Sequence, residues 1–279
     1  MRFASPILDT FSSPQDWIDI LKARGHSAAY SPVKGTEPDS DIQAYATAAE
    51  RAGIIIVEQG AWHCNALSEE DDIRKQAITY CSRQLDIAER LHARCCVALA
   101  GSRAKQWDAP HRKNLDDDTF AMVVDNVRAI IDAVKPKHTF FALEPMPWTF
   151  PIDVESHERL LKAVDRSAYA VHYDPVNMVY SLDRYYNSSI YIKDFIARLG
   201  SRIRVCHLKD VALEDTYVFK FSERIPGQGG LDYATLLKEL AKLDNNLPVA
   251  TEHLTNKKDY DTAETFVRTK CKDLGITLL

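Results

Sequence analysis

The sequence predicts an α/β protein, a (β/α)8 TIM barrel that forms a single domain over residues 1–279. Short apolar segments alternate with amphipathic segments along the whole chain, and eight such pairs can be counted. Neither a glycine-rich phosphate-binding turn nor a Walker-type loop is present, which argues against a doubly wound sheet. The length of 279 residues is normal for one barrel.

The predicted strands are short apolar runs, each followed by a loop and an amphipathic stretch. They cover residues 2–8, 27–32, 53–60, 93–101, 138–145, 169–175, 202–210 and 247–254. Pro6 interrupts the first run, and proline cannot donate a hydrogen bond to a neighbouring strand. We therefore expect the first strand to be the least regular of the eight.

The predicted helices lie between the strands. They cover residues 14–24, 39–52, 69–92, 116–135, 155–164, 189–199, 232–243 and 258–273. In the fourth helix, apolar residues recur at helical spacing over residues 120–134, with Asp125 and Arg128 between them. Ser68 and Asp116 are suitable cap residues for the third and fourth helices.

Composition narrows the class of protein. The formal net charge is -5 and no basic cluster is present, which argues against a nucleic-acid partner. No apolar run approaches the roughly 20 residues that span a bilayer, and the first residues lack the apolar core of a signal peptide. The six cysteines include no CxxC pair, so we interpret them as reduced thiols. A cytoplasmic protein without a membrane partner is the expectation.

Four consecutive predicted strands end in a side chain that can bind a metal ion. These side chains are Glu144, Asp174, His207 and Glu252. The carboxyl ends of barrel strands build the active site, and three acidic groups converging there would repel one another without a cation. The set predicts one divalent ion, with Mn²⁺ as the expected metal and Mg²⁺, Co²⁺ or Zn²⁺ as alternatives. Four unrelated ion pairs are the competing interpretation.

Other polar and aromatic residues at these strand ends are candidates for binding substrate. Lys209 lies two residues after the histidine of strand seven, so it shares the inward face; an ion pair with Asp210 is the alternative. Arg224 precedes a glycine turn and could bind a hydroxyl, carboxylate or phosphate group. Trp62 and Asn65 follow strand three; Trp62 could form an apolar wall against a bound substrate or cover the core.

His172 and Glu58 are further polar residues on predicted strands. His172 lies two residues before Asp174, so it should point into the barrel one layer down, as a hydrogen-bonded core histidine or as a support for the metal ligands. Glu58 is the one additional residue placed to recruit more metal.

The order Glu144, Asp174, His207 and Glu252 resembles the xylose isomerase-like TIM barrels, the sugar phosphate isomerase/epimerase family. The segments "HLKD" (207–210), "RIPGQGGLDY" (224–233) and "GAWHCNALSEEDD" (60–72) support the resemblance. It implies that these four residues hold the metal, and that Glu144 and Glu252 act as an acid/base pair on opposite faces of a sugar. Many members have a histidine where this chain has Asn177, so Asn177 is a further candidate for contact with substrate.

The resemblance implies a metal-dependent ketose isomerase or epimerase that works by proton transfer through an enediolate. The alternative is a lyase that eliminates from a keto-sugar or keto-glycoside after the same enolisation, as a dehydratase or a C-glycoside-cleaving enzyme does. A trinuclear endonuclease and a non-enzymatic sugar-binding barrel are further alternatives. The endonuclease would need more histidine ligands near strands two to four and a basic groove. The expected partner is a small sugar or sugar derivative; we expect a homo-oligomer and leave a hetero-oligomer open.

Overall fold

A computed structural model describes residues 1–279 and confirms the α/β barrel. Its strands are β1 (Arg2–Ala4), β2 (Ala28–Ala29), β3 (Ile55–Ile56), β4 (Glu58–Ala61), β5 (Cys95–Ala98), β6 (Phe141–Leu143), β7 (Tyr169–Tyr173), β8 (Ile203–Leu208), β9 (Asp210–Leu213), β10 (Phe221–Arg224) and β11 (Pro248–Thr251). Seven strands form a curled parallel sheet in the order β1-β11-β8-β7-β6-β5-β4, and β2 pairs with β3.

The predicted third strand is divided into β3 and β4 at Val57. The Val57 amide donates to the Ala29 carbonyl oxygen on the β2 side, whereas β4 pairs with β5. Between β1 and β2, the Phe3 amide donates to Ser27 Oγ at 3.3 Å. The barrel wall therefore continues from β4 through β3 and β2 to β1, although not every neighbouring pair forms a regular ladder.

Helices cover the outside of the sheet. They are α1 (Pro14–Ala23), α2 (Asp39–Ala52), α3 (Asp71–Leu91), α4 (Asp117–Val134), α5 (Val154–Val164), α6 (Leu182–Tyr186), α7 (Ser188–Leu199), α8 (Tyr233–Leu240) and α9 (Lys257–Asp273). Asp116 is the N-cap residue of α4 as predicted, but α3 begins after Glu70 rather than at residue 69. No helix combines the length and the apolar character that crossing a membrane requires.

The apolar core has an outer and an inner part. Two large clusters of buried residues lie between the sheet and the helices. A small cluster fills the barrel interior with Ala4, Ala28, Val57, Cys95, Ala142, Val205 and Ala250. Small side chains suit this position because all strands converge on the same narrow space. Their strands are buried on both faces, which explains why they are nearly continuous apolar runs in the sequence.

Three elements of the structure, β9, β10 and α6, were not predicted, and the observed strands are shorter than the predicted ones. β9 and β10 form an antiparallel hairpin in a region that we expected to be a loop. Its tip is exposed and aromatic, so it lacks the apolar and polar alternation of a half-buried strand. α6 has five residues, too few for a helical period to be visible. β1 ends at Ala4, before Pro6, as the missing amide hydrogen requires.

Candidate metal centre

The two-residue repeat of the strands explains why buried strands end in charged groups. On β8, Val205 lies in the apolar interior, His207 follows two residues later on the same face, and Lys209 follows His207. Ala142 on β6 and Ala250 on β11 likewise precede Glu144 and Glu252 by two residues. Each strand thus fills the barrel with a small side chain and then presents a polar one at its mouth.

The four predicted ligands come together. One ligand atom from each of Glu144, Asp174, His207 and Glu252 lies within 4.8 Å of the others. His207 Nδ1 is 2.8 Å from Glu252 Oε1, 3.4 Å from Glu144 Oε1 and 3.9 Å from Asp174 Oδ2. Metal–ligand bonds of about 2.1 Å separate neighbouring ligand atoms by about 3.0 to 3.4 Å in octahedral or tetrahedral sites. The observed separations bracket that range, so the residues fit a divalent ion.

Three ligand atoms of this set are buried and have no hydrogen-bond partner: Asp174 Oδ2, His207 Nδ1 and Glu252 Oε1. Lys209 Nζ lies 2.8 Å from Asp174 Oδ2 and 2.7 Å from Glu252 Oε1, close enough for ion pairs but without the geometry of a hydrogen bond. Unpaired buried polar atoms are costly, and here all three face one another. A cation among them would satisfy the three atoms together.

The site has an excess of negative charge. Its carboxyl groups belong to Glu58, Glu144, Asp174 and Glu252. Burial alone would lower the pKa of Lys209, but Asp174, Glu252 and Glu144 raise that pKa well above its ordinary value. Burial would also lower the pKa of His207, yet Glu252 and other negative neighbours raise it. Both shifts show that this point of the barrel stabilises positive charge.

Glu58 and His172 lie behind the ligand set, on the opposite side of the His207 ring. Glu58 Oε2 is 3.3 Å from His207 Nε2 and 3.2 Å from His172 Nε2. Burial alone would raise the pKa of Glu58, but the two imidazoles outweigh burial and lower it to about 2. The sequence predicted that His172 points into the barrel and that Glu58 could recruit more metal, but it did not predict that the two residues meet at His207.

A cleft of about 790 Å³ opens above the ligand set. Glu144 and Glu252 lie at its floor, and Tyr30, Trp62 and Trp107 form aromatic parts of its walls. Trp62 was predicted for this position. Tyr30 was missed, although it follows the inward-facing Ala28 by two residues at the end of the second strand, and Trp107 lies in a loop that carries no such signal. The cleft can hold a small polar molecule against aromatic walls.

The other predicted substrate-binding residues are Asn177, Asn65 and Arg224, and they differ in whether they contact the ligand set. Asn177 Nδ2 donates to Glu144 Oε1 at 3.2 Å, so Asn177 lies at the site. The Asn65 side chain is buried and accepts from the Leu67 amide in its own loop and from the Ser102 amide in the loop after β5. Arg224 pairs with Glu214 across the hairpin at 2.5 Å. The contacts of Asn65 and Arg224 are thus with protein, and their binding of substrate stays a prediction.

Asp210 links the end of β8 to the glycine-rich loop at the mouth. Its carboxylate accepts from the Gly227 and Gly229 amides at 2.9 and 3.0 Å, and from the Val211 and Leu231 amides at 2.9 and 3.1 Å. A Cβ at residue 229 would clash with this carboxylate. The alternative ion pair of Lys209 with Asp210 is therefore replaced by four backbone hydrogen bonds to Asp210.

We expect Asp210→Ala to destabilise the protein by roughly 3 kcal/mol, because hydrogen bonds to a buried carboxylate are lost while some amides turn to water. For a chain of this size, the melting temperature should fall by roughly 6 to 12 °C. Thermal unfolding followed by circular dichroism tests this, with exposed Asp273→Ala as the control. A melting temperature of Asp210→Ala equal to that of the control would contradict the assigned role.

Comparison with known proteins places these observations in a family. The sequence profile described as xylose isomerase-like TIM barrel matches residues 21–269 of the chain. No curated protein sequence matches the chain. The matched range contains all four residues of the ligand set, so the family match and the geometric cluster concern the same part of the molecule.

Solved structures share the fold over nearly the whole chain. D-psicose 3-epimerase from Clostridium cellulolyticum H10, solved with D-tagatose, has a TM-score of 0.69 at 18% identity and covers 96% of this chain and 99% of its own. The probable 3-DHS dehydratase AsbF from Bacillus anthracis, involved in petrobactin synthesis, has a TM-score of 0.71 at 13% identity, with 96% and 98% covered. A xylose isomerase-like TIM barrel protein from Mycobacterium smegmatis, in complex with magnesium, has a TM-score of 0.66 at 13% identity, with 94% and 90% covered. At such identities the likeness shows the fold alone.

Proposed function

The chain belongs to the xylose isomerase-like TIM barrel family, and on that basis we propose that it is a divalent-metal-dependent isomerase or epimerase of a ketose or related keto-sugar. The observation that carries the proposal is the convergence of two glutamates, one aspartate and one histidine at the floor of an open cleft. Structural neighbours include an epimerase solved with a ketose, which agrees with a sugar substrate.

Glu144, Asp174, His207 and Glu252 would hold the ion, and Mn²⁺ is the metal that we propose. When bound, a divalent ion polarises a carbonyl and a neighbouring hydroxyl and so makes the carbon between them more acidic.

Glu144 and Glu252 are the proposed proton-transfer groups. Their strands, β6 and β11, are separated in the sheet by β7 and β8, so the two carboxylates approach the cleft from different sides. One can take the proton from the carbon beside the carbonyl, and the other can return a proton to the opposite face of the planar enediolate. That arrangement inverts one carbon without an external acid or base.

Neighbouring side chains would orient the substrate and the bases. Lys209, whose pKa is raised by Asp174, Glu252 and Glu144, can donate to a developing substrate oxyanion. The amide of Asn177 donates to Glu144 Oε1 and so orients that carboxylate. Trp62 offers an apolar surface to the face of a sugar ring. Asn65 and Arg224 remain proposed binding residues, and each would have to leave its present protein partners to contact substrate.

Lys209 and Asn177 also favour a second function, the lyase. Enolisation followed by β-elimination needs a proton at the departing group, which is the hydroxyl oxygen in a dehydration and the aglycone carbon in cleavage of a C-glycoside. Lys209 Nζ lies beside two of the carboxylates. Asn177 stands where many relatives have a histidine, so contacts with substrate differ from those of ordinary epimerases. One structural neighbour is a probable dehydratase. The products would be an unsaturated keto-sugar together with water in a dehydration, or together with the released aglycone in cleavage of a C-glycoside.

We also propose a homo-oligomer in the cytoplasm. Aromatic residues beside the mouth are exposed: Tyr186 is 69% exposed and Phe219 is 52% exposed. Exposed aromatic groups of this kind are typical of surfaces that contact another chain. All six cysteines are free thiols, which agrees with a reducing compartment.

A deuterium experiment tests the proposed function. The protein is stripped with a chelator, reloaded with Mn²⁺, Mg²⁺, Co²⁺ or Zn²⁺, and incubated with a panel of ketoses and keto-glycosides in D2O. We expect deuterium at the carbon beside the carbonyl, together with an epimer or isomer, only after metal is added. An unsaturated product or a free aglycone would select the lyase. Substrates that turn over equally well in chelator would reject metal-dependent enolisation.

A further inference from the structure

The His207 ring has a different environment at each nitrogen. Its Nδ1 faces the acidic ligand set, and its Nε2 faces Glu58 Oε2 at 3.3 Å and His172 Nε2 at 3.2 Å. The two rings meet edge to face, with centroids 4.2 Å apart. His172 and His207 are 0% exposed, and Glu58, which also lines the cleft, is 4% exposed, so the two Nε2 atoms have no contact with solvent. The three side chains must therefore satisfy one another.

Hydrogen-bond balance decides where the protons lie. His172 Nδ1 is buried and has no partner. An unpaired buried N–H is costlier than an unpaired lone pair, so His172 carries its proton on Nε2, towards Glu58. Two N–H groups pointing at each other would repel, but one carboxylate oxygen can accept from both. Glu58 Oε2 lies 3.2 Å from His172 Nε2 and 3.3 Å from His207 Nε2, and no other acidic group contacts these two atoms.

We propose that Glu58 is a positioning residue that holds the proton of His207 on Nε2, so that the Nδ1 lone pair faces the metal site. The inference rests on the proposed function, in which His207 is a metal ligand. A carboxylate behind a ligating imidazole fixes the ring orientation and the tautomer, and it increases the basicity of the ligating nitrogen. Residue 58 lies 149 positions before residue 207, so only the closed barrel brings the two together.

A second metal ion at Glu58, His172 and His207 is the rival interpretation, since their ligand atoms are also within 4.8 Å of one another. That ion would require His207 to bind metal through both nitrogens at once. It would also have only three protein ligands, two of them histidines that solvent does not reach. Hydrogen bonds to Glu58 explain the same distances without these demands.

Mn²⁺ binding to the purified protein provides the first test. Glu58→Gln keeps the size of the side chain but replaces the carboxylate by an amide, and we expect it to weaken Mn²⁺ binding about 10- to 100-fold in a titration followed by electron paramagnetic resonance. Glu58→Asp retains the charge and should recover part of the affinity; it also replaces Glu58→Gln if that variant does not fold. Gln59→Met is the matched control, because Gln59 is the next buried residue of β4 and bonds to Gln84 instead. The control should bind Mn²⁺ with wild-type affinity even if it melts earlier.

The second test detects the Nε2 proton of His207 directly by NMR and does not require a bound metal. In protein labelled with ¹⁵N at histidine, the Nε2 proton of His207 should give a slowly exchanging, downfield resonance, identified by its loss in His207→Asn. We expect this resonance with and without Zn²⁺, and we expect it to move upfield or vanish in Glu58→Gln.

If both the Mn²⁺ affinity and this resonance are unchanged in Glu58→Gln, the positioning role is wrong. Loss of a second bound Mn²⁺ equivalent in Glu58→Gln would also overturn it, by making Glu58 a ligand. A wild-type protein that binds no Mn²⁺ would refute the proposed metal function, while the resonance would still decide the role of Glu58.

Discussion

Glu144→Gln and Glu252→Gln should each lower kcat for epimerisation by about 10² to 10⁴-fold, the usual contribution of one positioned acid or base. Each variant keeps an oxygen atom that can face the metal but loses the group that carries the proton. Removing one base of a pair stops inversion, because a proton taken from one face can no longer be replaced on the other. This is the largest kinetic effect that we expect for the protein.

Solvent deuterium distinguishes the two variants. If each glutamate serves one epimer, Glu144→Gln should still exchange the proton of one epimer in D2O, and Glu252→Gln that of the other, although neither variant interconverts them. Glu223→Gln is a suitable control, since Glu223 is a nearby carboxylate outside the ligand set. Nearly full epimerisation by both Glu144→Gln and Glu252→Gln would rule out the acid/base pair. Identical exchange patterns would rule out the assignment of one glutamate to each face.

Lys209→Met should produce the largest loss of stability, and the loss should depend on metal. Lys209 is 2% exposed and its ammonium lies 2.7 to 2.8 Å from Glu252 and Asp174. Removing one partner of a buried charge cluster costs about 3 to 5 kcal/mol, because the remaining charges are no longer compensated. In chelator, the melting temperature should therefore fall by roughly 6 to 20 °C.

Added Mn²⁺ should raise the melting temperature of Lys209→Met more than that of the wild type, because the ion replaces the missing positive charge. Calorimetry with and without chelator measures both effects. Lys242→Met is the control: Lys242 is exposed and paired with Glu239, so its loss should change stability by less than about 0.5 kcal/mol. Equal melting temperatures of Lys209→Met and wild type in chelator would show that the acidic cluster does not need this ammonium.

Local sequence patterns predicted much of the fold. The alternation of apolar and amphipathic segments gave the barrel and most of its helices, since both periods are properties of a few consecutive residues. The hairpin of β9 and β10 was not predicted, because its exposed aromatic tip has no core to face. The five-residue helix α6 is too short to show a period. Pro6 was a reliable signal, and β1 ends before it.

The sequence by itself determined which residues point into the barrel mouth. The pleat places every second side chain on the same face, so Ala142 and Glu144, or Val205 and His207, share a direction wherever the strand lies. For the same reason, the acidic and imidazole groups at four strand ends could be identified as candidate ligands before any distance was known.

Only the tertiary structure decided what these side chains meet. It brought Glu58 to the far nitrogen of His207, turned Lys209 towards Asp174 rather than Asp210, and paired Arg224 with Glu214 on the hairpin. Such contacts join residues of different strands and loops, and they depend on sheet order, barrel closure and loop packing. The physical reason is that the direction of a side chain is set by the local backbone, whereas its neighbours are set by interactions along the whole chain.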